Sequence, residues 1–453
     1  MHIIHMTCIA VCVFACAACV AQEGQIDNDG LPAFPGAEGY GAIAAGGRGG
    51  KVLTVTTLES KGPGSFRWAA AQSGPRIVVF AVSGVIHGKY VIAEPRMTLA
   101  GQTAPGAGIT IDGNIIFNGS RKDTTSDYIV RFIRVRSDFH GAHASGGDCI
   151  RTGGKPVILD HVSTSWSTDE SIQFSGGGTM QWCASEGAAI AWEGHHLHAY
   201  GPYLYACPFP QTMHHSLVAH AMERVPMVSG MPFLDFRNCV IYNCWPGPGI
   251  GKSNAVNNYM KTGPGGPQGM RPNLAPIRPG KSLISQSRRG NVYARGNVLK
   301  PLKGPLKKLP DRGTEPLPAP KVTTHSAEKA YEMVVAHAGC LPRDAVSKKV
   351  FREVRTGTGF MGRYVPEGGL MQGLTPSDAP KDTDSDGMPD AWETAHKLDP
   401  KDASDSTKTV PAGASKNDRH KGYTYIEFYI NELADKLVEQ AVKEYESVKN
   451  SAE

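Results

Sequence analysis

The stretch ILDHVSTSWSTDESIQF, residues 158–174, sets Asp160-His161 and then Asp169-Glu170 inside a run of β-forming residues. Acids in such a run cost stability unless something cationic meets them, so the choice lies between a metal ion, a basic partner and a solvated turn. If the run is a strand, residues 169, 171 and 173 face one way while Ile172 and Phe174 face a core. That turns Asp169 and Gln173 outward together. Asp160-His161 reads instead as a structural hydrogen-bonding pair. A second acidic stretch, DTDSDGMPDAWE at 382–393, has sharper spacing. Asp382, Asp384, Asp386, Met388 through its carbonyl, Asp390 and Glu393 fill the six ligand positions of a calcium loop, with Gly387 at the tight turn. Without a cation such a turn would repel itself. The loop lies far along the chain from the other candidates, so its expected role is structural. Histidines crowd the region 195–220, but no HExxH or comparable ligand spacing points to zinc.

Five motifs occur in order: FPGAEGYG at 34–41, DYIVRFIRVR, GGDCIR at 146–151, ILDHVSTSWSTDE, and HHSLVAHAMERVP at 214–226. Together they resemble the pectate lyases of polysaccharide lyase family one, and RTGTG at 355–359 adds to the likeness. The resemblance runs from about Phe34 to Val298. It implies a right-handed parallel β-helix, calcium at the substrate cleft, and β-elimination of polygalacturonate. Matched by motif, the cleft calcium positions fall on Asp148, Asp169 and Gln173. Gln173 offers an amide oxygen but one charge fewer, and Glu170 compensates if it sits in the loop before the strand. The proton-abstracting Arg, followed two positions later by Pro, falls on Arg224 in RVP. Two departures stand out. The second Arg that often follows the Pro is absent, since the chain reads RVPMVSG with Ser229 near that place. No Lys or Arg occurs between 187 and 223, where a substrate-binding Lys is expected. GHHLHAYG stands there instead, which makes His195, His196, His198 and Tyr200 the candidate sugar contacts, with Arg237 as a further one. Neutral imidazoles grip a carboxylate less well than Lys.

Residues so far apart in sequence need a scaffold that returns the chain repeatedly to one place. Short apolar runs such as VLTVTTL, RIVVFAVSGVI, PVILDHVSTSW, TMHHSLVAH and FLDFRNCVIYNCW recur between Gly, Asn and Ser punctuation. No amphipathic helix separates them, which argues against alternating βαβ units. Strands too short to form a core alone, repeating with loops bulging between them, suggest a coil stacking on itself, with a β-sandwich as the rival. Asn recurs near strand ends at 238, 243, 257, 258 and 297, as stacked turns would require. The expected fold class is all-β, a single-stranded parallel β-helix over 22–300. A Pro- and Lys-rich linker or wrapping segment with one helix follows over 301–375. A small helical appendage with the calcium loop then occupies 376–453.

The 453-residue chain carries a net charge of only +5 and no Lys/Arg block, which excludes a nucleic-acid binder on electrostatic grounds. A modest positive excess suits an acidic polysaccharide. Residues 1–21 read as an export signal with too short an apolar run to span a membrane, and a lipid anchor at Cys19 is the alternative. Four of the ten cysteines fall in that segment, and the rest lack CxxC pairing, so they read as buried apolar side chains. The expectation is therefore a secreted or periplasmic, calcium-dependent, monomeric lyase for pectate. Its alternatives are a lyase for another uronan, a hydrolase on the same coil, and a non-catalytic carbohydrate-binding β-helix.

Overall fold

The computed structural model describes residues 30–117, 125–136, 147–187, 200–204, 209–222, 224–228, 233–244, 252–265, 292–361 and 365–451. The segment 1–21 and His195, His196 and His198 lie outside the described residues.

Strands of three to six residues dominate, and they return to the same sheets turn after turn. One sheet has ten strands, running in chain order from Lys51–Val55 through Lys155–Asp160, Gly178–Gln181 and Gln211–His214 to Val292–Arg295. Its neighbours pair in parallel. The second has fourteen strands and forks at Ile109–Phe117. The first part of that strand pairs with Arg134–Arg136, and the last part with Ile150–Thr152. Each coil therefore has three faces, as in Lys155–Asp160, Ser163–Ser165 and Ile172–Phe174, before the chain rejoins the ten-stranded sheet at Gly178. This is a right-handed parallel β-helix. Its last coil ends on Val298–Lys300, which the short antiparallel strand Lys307–Lys308 covers. Lysines on such an edge discourage further strand addition.

No single coil can bury its apolar side chains, so stacking does it. Val78, Leu99, Val130, Leu159, Met180, Met213, Phe236, Ala255 and Ala294 occupy one continuous register column, and all lie in the main core. The described cysteines, Cys149, Cys183, Cys239, Cys244 and Cys340, are all buried, as small apolar residues.

From Thr125–Arg131 onward, the sharp corner after each strand of the ten-stranded sheet takes a left-handed residue. Phe132, His161, Trp182, His215, Asn238 and Asn257 supply it in successive coils, with φ between 48° and 54°. Asn tolerates that region, whereas bulkier residues incur a steric cost of about 1–2 kcal/mol. Ring stacking offsets it: Phe132 on His161 at 4.6 Å between centroids, and Trp182 on His215 at 4.3 Å. Asp160 and His161 form the expected pair, Nδ1 to Oδ1 at 3.1 Å, while Arg131 donates to the other carboxylate oxygen.

After the coil, the chain runs back along the ten-stranded sheet, where the Leu317 amide donates to Asn254 and Thr323 to Glu38. The stretch 301–375 holds two helices, Ala327–His337 and Ala345–Thr356, where periodicity suggested one. The second is bounded by an Asp344 N-cap and by Gly357 at φ 76°, an αL C-cap. The expected helical appendage ends on one long helix, Tyr425–Asn450, opened by a Thr424–Glu427 capping box. Its first turns place Ile426, Phe428, Tyr429 and Ile430 with Met388 and Trp392 on Ile77, Val79 and Ala100, the outer face of the first coils.

Candidate active site

The strand Ile150–Thr152 pairs in parallel with Ile172–Phe174, Ile150 opposite Ile172. Gln173 in turn lies opposite Tyr203, and Tyr203 opposite Met227. Continued back towards the preceding corner, that register aligns Asp148, Glu170, Tyr200 and Arg224 in one column across four successive coils. The bridge between Glu170 and Tyr200 and the bond from Cys149 N to Glu170 O hold it in place. The fold thus brings together residues that unequal loops separate in sequence.

Oxygen atoms of Asp148, Asp169 and Glu170 all lie within 4.8 Å of one another. Asp148 is buried, and its Oδ1 accepts from the Glu170 amide at 3.1 Å. Its Oδ2 accepts from Nε and Nη2 of Arg151, at 3.1 and 2.8 Å. Burial pushes the Asp148 carboxyl above the ordinary Asp range, and Arg151 opposes that shift. Asp169 is half-exposed, with Oδ1 3.8 Å from Nη1 of Arg224. The same Nη1 contacts Oε1 of Glu170. The outward alternation expected from 169 to 173 therefore holds only from Ile172 onward. Asp169 and Glu170 belong to the turn before the strand, and Glu170 joins the cluster from there. Gln173 lies mid-strand, its amide nitrogen donating to Ser175 at 3.2 Å.

Arg224 stands at the mouth of the column with φ 60°, a left-handed conformation for a residue with a long side chain. Its guanidinium carbon lies 3.9 Å from the ring centroid of Tyr200 and 4.6 Å from that of Tyr203. Burial against these rings lowers the Arg224 pKa, and the Asp169 and Asp148 charges work against that lowering. Gly201 allows the approach, because a methyl group there would run into the Arg224 carbonyl. Tyr200, a candidate sugar contact by sequence, carries the Arg224 guanidinium on its ring. Tyr203 and Arg151 went unnoticed, although Arg151 closes the quoted motif GGDCIR.

Arg237 does not join this site. It lies on Leu234–Arg237 in the ten-stranded sheet, and both arms of its fork go to Asp235, at 2.9 and 2.6 Å. Its remaining nitrogen donates to Thr324. A bidentate pair inside one strand explains why an apparently exposed Arg is committed to the scaffold.

In the appendage, oxygens of Asp382, Asp384 and Asp386 gather within 4.8 Å of one another, and so do those of Asp386, Glu393 and Asp405. Burial and the neighbouring carboxylates push Asp386 up to about 7 and Glu393 up to about 8. Asp390 belongs to neither cluster, contrary to its assignment as a loop ligand. It opens the helix Asp390–Ala395, and its carboxylate accepts from the Thr383 amide and hydroxyl, each at 2.7 Å, and from Lys381 at 2.8 Å. Asp405, twelve residues beyond the loop, was not anticipated.

No family model matches the chain. Among curated proteins, a probable pectate lyase C of Aspergillus fumigatus is 34% identical over 440 residues, covering 89% of this chain and 94% of its own length. Its counterpart in Aspergillus terreus is 33% identical over 436 residues with the same coverage. Among solved structures, the major allergen of cedar pollen is similar over 67% of this chain and 93% of its own, at 15% identity and a TM-score of 0.47. The likeness to the fungal proteins extends over nearly the whole of both chains, so this chain belongs to the pectate lyase family and is a polysaccharide lyase.

Proposed function

We propose that the chain cleaves polygalacturonate by β-elimination, with Arg224 as the base and calcium in the Asp148–Asp169–Glu170 pocket. The observation that carries this reading is the column itself, which delivers the Arg224 guanidinium to the carboxylates of Asp169 and Glu170. Three clustered carboxylates, two of them buried, suit a hard cation with oxygen ligands, and Gln173 is proposed as a further ligand. Calcium, when bound, would neutralise the uronate carboxylate and stabilise the negative charge that grows next to it. Arg224 removes the proton on the carbon bearing that carboxylate. The electron pair forms a ring double bond, and the glycosidic oxygen on the adjacent carbon departs and is protonated. Tyr200 and Tyr203 hold the guanidinium in line, and its partial burial favours the neutral form that must accept the proton.

Arg224→Lys tests the assignment, since it keeps the charge but changes reach and planarity. Turnover should fall at least roughly a hundredfold with folding intact, as expected for a group acting in the transition state. Retention of most activity would put the base elsewhere. Product should absorb in the ultraviolet and vanish with chelator. New reducing ends without that absorbance would mean hydrolysis.

The loop 382–393 is proposed to hold a structural calcium through Asp382, Asp384, Asp386, the Met388 carbonyl and Glu393. Export directed by residues 1–21 belongs to the same proposal, and amino-terminal sequencing of the mature protein tests it.

A further inference from the structure

We infer that Asp386, Glu393 and Asp405 form a second divalent-cation position in the appendage, adjoining the loop position and sharing Asp386 and Glu393 with it. This rests on the loop reading above and extends it to a residue outside the motif.

Glu393 has no exposed surface, and among the described residues neither of its carboxylate oxygens has a hydrogen-bond partner. Oδ2 of Asp386 and Oδ1 of Asp405 are buried and unpartnered in the same way. Buried carboxylates are normally paired or bound to metal. The nearby lysines are spent elsewhere, Lys381 on Asp390 and Lys408 on Asp402. Oxygens within 4.8 Å of one another match the span across a calcium ion whose ligands stand at about 2.3–2.6 Å. A single ion in the loop would leave the five carboxylates of the two groups heavily under-neutralised, whereas two dications nearly balance them.

The position joins three pieces of chain. Asp386 comes from the loop, Glu393 from the helix Asp390–Ala395, and Asp405 from the 3-10 turn Asp405–Thr407. Just beyond that turn, Thr409 bridges to Thr424, the cap of the long helix, and Val410 enters the core shared with the first coils. A cation here would fix the approach to that helix as well as the loop.

The test counts bound calcium per full-length chain by equilibrium dialysis after chelation, for the wild type, Asp382→Ala, Asp405→Ala and the double variant. Asp405→Ala should bind one calcium fewer than wild type, and the double variant two fewer. An unchanged count in Asp405→Ala, or a double variant that loses no more ions than Asp382→Ala alone in a background where Asp382→Ala loses one, overturns the second position. An unchanged count in Asp382→Ala beside a loss in Asp405→Ala would instead sink the loop reading alone. Lyase activity at saturating calcium reports that each variant has folded. If Asp405→Ala does not fold, Asp405→Asn decides, because it preserves the size of the side chain that accepts from the Asp399 amide.

Discussion

The guanidinium of Arg224 lies over the ring of Tyr200, the residue one coil earlier in the same column, at 3.9 Å from its centroid. Tyr200 is thereby a positioning residue, acting on the reaction through the Arg it carries. A cation–π contact of this kind contributes about 1–2 kcal/mol when partly desolvated. Tyr200→Leu should lower kcat roughly tenfold with a smaller change in KM, and Tyr200→Phe should keep most of the activity. Equal losses in both variants would mean that the hydroxyl, not the ring face, matters.

Arg151 places two nitrogens on the Asp148 oxygen that a cation would need. Its side chain is 49% exposed, so solvent screens the pair. Arg151→Gln should tighten calcium binding to the free enzyme roughly threefold, a screened ion pair's worth. Calorimetric titration checks the direction. Weaker binding would show that Arg151 orients the carboxylate instead of competing for it.

Asp386 and Asp390 should respond differently to calcium. Binding only to the folded state adds about 2.7 kcal/mol when the ion stands about 100-fold above its dissociation constant. Asp386→Ala should therefore melt lower than wild type in calcium and alike after chelation, with turnover little changed. Asp390→Ala loses its bonds to Thr383 and Lys381, and should melt lower by similar amounts with and without calcium.

Burial lowers His214 and His337 to about 3 and His215 to about 2. An unfolded chain protonates these groups near 6.5, so between that pH and about 3 it binds more protons than the folded chain. Stability contributed by the neutral rings is thus present above pH 6.5 and lost as pH falls. Denaturant midpoints should drop from pH 6.5 to 4. His215→Asn, which suits the same left-handed corner as Asn238 one coil later, should flatten that slope by up to about 1.4 kcal/mol per pH unit. An unchanged slope would mean that His215 does not control it.

The coil and the chemistry were legible in sequence to different depths. Recurring short strands announced stacking, because each run was apolar enough to be buried yet too short to stand alone. Asp148, Asp169 and Arg224 followed from motifs, but their alignment with Glu170 and Tyr200 did not, since loops of unequal length absorb the register. Arg237 misled because a strand residue's partner two positions back looks no different from a solvent-facing acid. Asp390 misled for a related reason: a helix's first residue can turn its carboxylate back to the preceding turn. Asp405 was invisible, as no spacing rule reaches twelve residues past a loop.

The long helix Tyr425–Asn450 rests on Ile77, Val79 and Ala100, some of the earliest strands to be made. Synthesis from the amino terminus therefore leaves an apolar strip on the nascent coil incompletely covered until the residues from Tyr425 onward appear. Contacts so distant in sequence close late and slowly. A chain halted before Tyr425 should leave part of that strip uncovered and self-associate, so the helix serves as the coil's own late-arriving chaperone.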